Sequence, residues 1–372
     1  MKQEIKDSLT QILAPHYRDD APGGAVLVAC NGEIEYEFYR GLADMESGKH
    51  IGPDTVFNVA SISKQFASVG LLKLVDKGLV SLDDSVAKYF PEFKSERWKE
   101  IKLWHVMSHC SGVPDLRPRT DRNFMLYCTD RQSLEYMKDL DTFRFAPGEA
   151  YEYINPTYQI LFGIIERVTG MDFDNYQRKE IFEPLGMSST FYFEPDRATT
   201  NTAHGYIINE ETDVSGIDCD YEKHRDKVDN DYVDGDGRHW AVCEYGIETF
   251  FATKADGGLY STARDLLKWE NALASNCLIS EALKRKAYEC ITKVSDSPYC
   301  AYQNRRNTWY GLGWFIDTTP GRERKVYHTG DNGGFQAYLA KYEQSGKVVV
   351  MLENRNDRDR WATQMEIEKT IL

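Results

Sequence analysis

The strand-like runs of this chain lie at its two ends, and that placement limits the folds open to it more than any other feature. Near the start, "GGAVLVACNGEIEYEFYRG" (23–41) holds two such runs joined by Asn31-Gly32. Asn-Gly between such runs suits the left-handed backbone of a tight hairpin turn. Near the end, "WYGLGWFI" (309–316), "RKVYHTG" (324–330), "FQAYLAKY" (335–342) and "KVVVMLEN" (347–354) are further strand candidates, with Ser345-Gly346 as a tight turn. Strands need partners for their backbone groups and a layer to bury against. One antiparallel sheet assembled from both ends of the chain is therefore expected.

Helical spacing fills the rest. At the N-terminus Ile5, Leu9, Ile12 and Leu13 recur on one helical face, and in "RDRWATQMEIEKTIL" the residues Trp361, Met365 and Leu372 do the same, so both terminal helices should cover the sheet. Between the ends, "SKQFASVGLLKLVDKG" is apolar on most sides, as in a buried helix, and "TYQILFGIIERVTG" runs to a terminating Gly170. Strands outside and helices inside predict an α/β (α+β) architecture. A sheet domain would come from residues 1–70 and 255–372, and a mainly helical domain from 71–254 would be inserted in it. With 372 residues, 41% hydrophobic and 13% aromatic, the chain can fill a sizeable core.

A net charge of −14 without a basic stripe argues against nucleic acid or an anionic membrane surface as partner. The longest apolar runs, "AVLVAC" and "VVVML", are too short to cross a bilayer. The first residues lack the apolar core and cleavage site of a secretory signal, so a cytoplasmic location is expected. Eight cysteines show neither Cys-x-x-Cys pairs nor zinc-finger spacing, which fits reduced thiols better than structural zinc.

An acidic insertion at 210–237 stands apart, with eleven acidic residues against three basic ones from Glu210 to Asp236. Its "DNDYVDGDG" looks calcium-like, but aligning Gly235 or Gly237 with an EF-hand glycine leaves Tyr232 at a ligand position, and no glutamate follows at the right distance. A solvated acidic loop is the main reading, and a loop that shapes a nearby pocket the alternative.

Two stretches share the pattern Ser-x-x-Lys. Ser85-Val-Ala-Lys88 sits in a short polar segment and reads as a helix cap with an exposed lysine. Ser61-Ile-Ser-Lys64 follows the strand-like "TVFNVA" and opens a long helix, which places serine and lysine on one face of the first turn. A serine hydroxyl needs a base to become a nucleophile, and a lysine serves only where its surroundings hold part of it neutral. Tyr153-x-Asn155 ends a loop before an apolar-faced helix: the phenol could relay a proton and the amide could orient the lysine. A second Tyr-x-Asn, Tyr302-Gln-Asn304, lies in a polar stretch and reads as surface structure. His328-Thr329-Gly330 closes a strand; Gly330 would let a substrate approach the backbone, and the N–H of Asp331 could serve an oxyanion.

In this order, the three elements resemble the serine β-lactamase and penicillin-recognising family, in the branch of class C β-lactamases, D-alanyl-D-alanine carboxypeptidases, D-aminopeptidases and esterases. Four more stretches are similar to the family's: "LWHVMSHCSGVPD" (103–115), "IFEPLGMSST" (181–190), "ADGGLYSTARDLLKW" (255–269) and "YGLGWF" (310–315). The resemblance covers nearly the whole chain and implies a β-lactamase-like fold and a serine hydrolase. It makes Ser61 the nucleophile, Lys64 and Tyr153 the proton carriers and Asn155 the orienting amide. Ser61 and Asp331 would supply the oxyanion N–H groups, with Thr329 and Gly330 against the substrate. No metal or organic cofactor is implied.

His328 departs from the Lys-Thr-Gly or Lys-Ser-Gly of typical β-lactamases, replacing a permanent ammonium by an imidazole charged only in part near neutral pH. The expectation is therefore a peptidase, amidase or esterase for a small substrate. A true β-lactamase or D-alanyl-D-alanine carboxypeptidase is the alternative, and a non-catalytic binding protein of the same fold a second one.

Overall fold

A computed structural model describes residues 1–115, 128–192, 201–208, 231–243, 253–299 and 307–372. After helix α1 (Gln3–Leu13), strands β1 (Gly24–Cys30) and β2 (Glu33–Arg40) form the expected hairpin, with Asn31 and Gly32 both at positive φ, 49° and 90°. The chain then passes through β3 (Phe57–Asn58) into α2 (Ser63–Asp76), and on to α3 (Asp130–Lys138), α4 (Tyr158–Thr169) and β4 (Phe191–Tyr192). Gly170, at φ 69°, ends α4 as its sequence predicts. The second half brings α5 (Lys254–Gly257), β5 (Leu259–Ser261), α6 (Ala263–Ala274), α7 (Glu281–Ala287) and then β6 (Thr292–Lys293). Strands β7 (Thr308–Tyr310), β8 (Phe315–Asp317), β9 (Lys325–Asn332), β10 (Phe335–Tyr342) and β11 (Lys347–Glu353) lead to α8 (Arg360–Ile371).

The main sheet has eight strands in the order β6-β7-β8-β9-β10-β11-β1-β2, with every neighbouring pair antiparallel. Strand β1 from the start of the chain joins β11 from its end, Val26 opposite Met351 and Val28 opposite Val349. Alternation along the strands divides the core between two faces. Val26, Val28, Tyr338 and Met351 pack with Leu9, Leu13, Ile367 and Ile371 of the terminal helices. On the opposite face Leu27, Leu339 and Val350 join Phe66 and Trp269 of α2 and α6. This β-lactamase-like α+β arrangement agrees with the fold read from the sequence.

Two local expectations are corrected. The run "WYGLGWFI" is not one strand: it folds back on itself as β7 and β8, Tyr310 opposite Phe315. Its glycines make the turn fit, because a Cβ on Gly311 would lie 2.1 Å from the Ala287 carbonyl oxygen and one on Gly313 2.5 Å from Ser68 Oγ. Helix α8 does cover the sheet, but with Thr363, Gln364, Ile367, Glu368 and Ile371 buried, while Met365 and Leu372 are exposed and Trp361 is half-buried. The buried stripe is partly polar. Glu368 accepts from Lys325 Nζ at 2.6 Å and Tyr338 Oη at 3.1 Å, so an apolar count along the helix selects the wrong face.

Of the acidic insertion, residues 210–230 lie outside the described residues. The remainder is a hairpin rather than a loop: Tyr232 pairs with Trp240 and Val233 with His239. Asp234 sits 6% exposed in its turn, accepting from the Asp236 and Arg238 N–H groups at 2.9 and 3.0 Å and from Trp240 Nε1 at 3.0 Å. The stretch holding Tyr302-Gln-Asn304 likewise lies outside. No described helix is long and apolar enough to cross a membrane.

Candidate active site

Ser61 stands where β3 gives way to a single 3₁₀ turn, Ala60–Ile62, that leads into α2. The turn is tight: Ala60 adopts φ 47°, a left-handed conformation uncommon for a residue with a Cβ. Asn58 Oδ1 accepts from the Ala60 N–H at 2.8 Å, and Ser63 Oγ donates to the Ala60 carbonyl at 2.6 Å while accepting from the Leu259 N–H at 3.0 Å. These bonds hold the strained corner from both sides and leave Ser61 half-buried.

Lys64, one turn into the helix, is 0% exposed. Its Nζ lies 3.1 Å from Ser61 Oγ, 2.8 Å from Asn155 Oδ1 and 2.7 Å from the Asp256 carbonyl oxygen. Three acceptors match the three protons of an ammonium, which is what a charge buried this deeply requires. The Tyr153 ring centroid is 4.9 Å from the same nitrogen. The structure thus gathers Ser61, Lys64, Tyr153 and Asn155 around one point.

His328, Thr329, Gly330 and Asp331 lie on β9, alongside this point. Strand β8 pairs with β9 only from Lys325 to Tyr327, so among the described residues the stretch from His328 on has no strand on that edge. The space a Gly330 side chain would take is already occupied: a Cβ there would lie 2.2 Å from the Val59 carbonyl oxygen and 2.9 Å from Ala60 Cβ. The room left by its missing side chain is filled by the corner that presents Ser61. Asn332 adds a tie, its Nδ2 donating to Asn58 Oδ1 at 2.9 Å and to the Gly257 carbonyl at 3.1 Å.

His328 is turned inward. It is 1% exposed, with Nδ1 2.6 Å from the Thr329 carbonyl and Nε2 2.9 Å from Tyr310 Oη. A carbonyl only accepts, so Nδ1 carries a proton, while Nε2 and Tyr310 Oη share the second hydrogen bond. Both nitrogens are engaged inside the protein rather than offered to a substrate carboxylate. Strand alternation causes this: it points residue 328 into an aromatic cluster, where the Phe315 ring lies 5.0 Å away. Asp331, by contrast, is exposed and pairs through both carboxylate oxygens with Arg360, at 2.5 and 2.6 Å.

The model of the family described as Beta-lactamase matches residues 9–368. The chain belongs to the Beta-lactamase family. It is 25% identical to a penicillin-binding protein of Bacillus subtilis over 100% of this chain and 75% of that protein. To a protein of Yersinia enterocolitica named Beta-lactamase it is 28% identical, over 95% of this chain and 86% of the other. Among solved structures, the D-amino acid amidase of Ochrobactrum anthropi, complexed with L-phenylalanine amide, superposes with a TM-score of 0.75 at 22% identity, covering 99% of this chain and 97% of that one. The likeness in fold is close, and the protein is a serine hydrolase of the β-lactamase-related family.

Two residues that frame this Beta-lactamase-family site went unassigned in the sequence reading. His109, at φ 55°, clamps the Tyr153 segment on both sides: its carbonyl accepts from the Glu152 N–H at 2.9 Å and its Nδ1 from the Ile154 N–H at 3.3 Å. Its ring lies 4.3 Å from that of Tyr153. Burial, then the Lys64 charge and His328, hold the imidazole well below its ordinary pKa, so it stays neutral. Its stretch, "LWHVMSHCSGVPD", was noted only for its likeness to the family. Asp130, 2% exposed, accepts from the N–H groups of Lys254 and Ala255 at 2.7 and 3.3 Å, and so holds α5, whose Asp256 carbonyl meets Lys64. Burial first, and Asp256 second, push its carboxyl up to about 8. No local pattern marks Asp130, because its role depends on a segment more than a hundred residues away.

Proposed function

We propose that the protein is an amidase, peptidase or esterase for small substrates, with Ser61 as its nucleophile. The observation that carries this reading is the 3.1 Å approach of Lys64 Nζ to Ser61 Oγ, with the lysine held by Asn155 and the Asp256 carbonyl. Ser61 Oγ attacks the carbonyl carbon as its one proton passes to Lys64, which must first have given up a proton to stand in its amine form, with Tyr153 as the relay. That proton then reaches the leaving amine or alcohol as the C–N or C–O bond breaks. Asn155 orients Lys64 and the substrate. The N–H groups of Ser61 and Asp331 hold the oxyanion, each worth about 3 kcal/mol in the transition state, with Thr329 and Gly330 beside them. Water then hydrolyses the acyl-Ser61 ester.

The preference for plain amides or esters rests on the charges. The His328 nitrogens are engaged, Lys64 is committed to the nucleophile, and Arg360 is paired with Asp331, so these groups offer no ready cation to a substrate carboxylate. The likeness in fold to a D-amino acid amidase agrees with this reading. We place the protein in the cytoplasm, and we treat residues 1–70 with 255–372, and 71–254, as its two domains. The acidic insertion would border the pocket: its hairpin pairs with Tyr206–Ile208, and Gly205, just before that strand, packs against Gly333, in the turn after β9.

The test is a turnover screen of D-amino-acid amides, p-nitrophenyl esters and nitrocefin, run on the wild type and Ser61→Ala. Turnover of amides or esters that Ser61→Ala abolishes is the expected result. Nitrocefin as the best substrate would favour the β-lactamase alternative, and no Ser61-dependent turnover or labelling would leave only a binding role.

A further inference from the structure

Away from Ser61, a cavity of about 400 Å³ lies between α6, α7 and the β9–β10 pair, at the small end of the sizes usual for ligand pockets. Its walls are unusually charged, and most of those charges are settled. Arg285 pairs with Glu281 and Arg324 with Glu343, while Arg324 also donates to the Tyr288 carbonyl. Three groups remain. Lys284 Nζ donates to the Leu273 and Ala274 carbonyls at 3.0 and 3.4 Å, and Lys341 Nζ to the Gly346 carbonyl at 3.2 Å, so each ammonium keeps at least one proton to give. Glu270 is 4% exposed, lines the cavity, and accepts no hydrogen bond among the described residues. Lys341 is the charge that acts on it, and burial still pushes its carboxyl up to about 7.

A mostly buried carboxyl with no protein donor depends on what fills the cavity beside it. What would satisfy this cavity must bring a donor to Glu270 and an acceptor to the lysines in one small molecule. We propose that the cavity binds a free α-amino acid as its zwitterion, the ammonium on Glu270 and the carboxylate on Lys284 and Lys341. An anion alone would leave Glu270 unmet, and an amine alone would leave the two lysine ammonium groups unmatched. None of the lining residues belongs to the Ser61 site, so this binding does not depend on the reaction proposed there.

Calorimetric titration of the whole protein with glycine and alanine tests this, with N-acetylglycine and methylamine as probes lacking one charge or the other. One-site saturable binding of the amino acids is expected, with either probe at least about tenfold weaker. Glu270→Gln should weaken amino-acid binding by about tenfold or more, and Ser61→Ala should leave it unchanged. Should Glu270→Gln fail to fold, Lys341→Gln carries the same test from the sheet side and should also weaken binding. No saturable binding, equal binding of N-acetylglycine, or binding lost in Ser61→Ala but kept in Glu270→Gln would each overturn the proposal.

Discussion

Ser61-Ile-Ser-Lys64 and Ser85-Val-Ala-Lys88 repeat one four-residue pattern, and the fold treats them in opposite ways. Lys64 is 0% exposed and meets groups 91 and 192 residues away along the chain. Lys88 is exposed and bonds to Asp84, its neighbour four residues back, at 2.8 Å. Ser61 stands on a strained corner braced by β9, whereas Ser85 takes the N-cap position of the short helix Val86–Tyr89 in an ordinary extended conformation. The expected side-chain cap is absent there: the Ser85 hydroxyl makes no capping bond, and the backbone alone starts the turn. Spacing brings a serine and a lysine together; chemistry comes from what distant segments build around the lysine.

The sharpest way to break this contrast is to delete each serine. Ser61→Ala should abolish turnover and remove labelling by a fluorophosphonate, with peptide mapping placing the wild-type adduct on Ser61. Ser85→Ala should match the wild type in both, and a loss of activity there would end the distinction. The lysines come next. Lys64→Met should slow acylation by about 10²- to 10⁴-fold, the usual range for a positioned proton carrier, as read by single-turnover kinetics, while Lys88→Met leaves it alone.

The corner itself can be tested through Gly330. A Cβ at this position would overlap the Val59 carbonyl, and backbone cannot yield as a flexible side chain can. Gly330→Ala should therefore lower stability by about 1–3 kcal/mol, seen in thermal or urea unfolding, and should lower activity as the corner shifts. Nothing comparable should follow from substitutions around Ser85, where no such approach exists.

Much of this was legible beforehand, for identifiable reasons. The Asn31-Gly32 hairpin and β10, β11 and α4 carry their information in local alternation, spacing and turn residues. The Ser61, Tyr153 and His328 motifs are short strings that survive as strings. What escaped depends on contacts between distant segments. The third acceptor for Lys64 is the backbone carbonyl of Asp256, which no residue type announces. His109 acts through its own backbone and a neutral ring, Asp130 by holding a four-residue helix, and α8 buries a stripe whose charges are satisfied across the sheet at Lys325. Gly330 shows the same limit from the other side, since the need for a glycine was legible but what occupies its space was not.

His109 gives a pH test of how the Lys64 side of the comparison is framed. Its folded pKa lies well below the ordinary value of 6.5, so the unfolded chain takes up a proton that the folded one refuses. Its contribution to stability is present above about 6.5 and is lost progressively as pH falls below it, for instance from about pH 7.5 to about 5.5. Urea unfolding at the two pH values should show this loss in the wild type and less of it in His109→Gln. That variant should also lower turnover, because the ring's bond to the Ile154 N–H, which helps place Tyr153, is lost while the backbone bond to Glu152 stays.

The smallest effect belongs to the other motif. The Lys88–Asp84 pair spans four residues, and its lysine side chain is 53% exposed, so water and salt screen most of the attraction. A double-mutant cycle on Lys88→Ala and Asp84→Ala should return a coupling of about 0.5 kcal/mol or less, smaller still in high salt. Asp84 also accepts from Tyr89 Oη and the Ser81 N–H, so the Asp84→Ala arm alone should cost more than the coupling, through bonds unrelated to the lysine. A coupling well above 1 kcal/mol would mean that Lys88 is held far more firmly than its exposure allows. The contrast between a lysine fixed by distant acceptors and one resting on its own turn would then have to be redrawn.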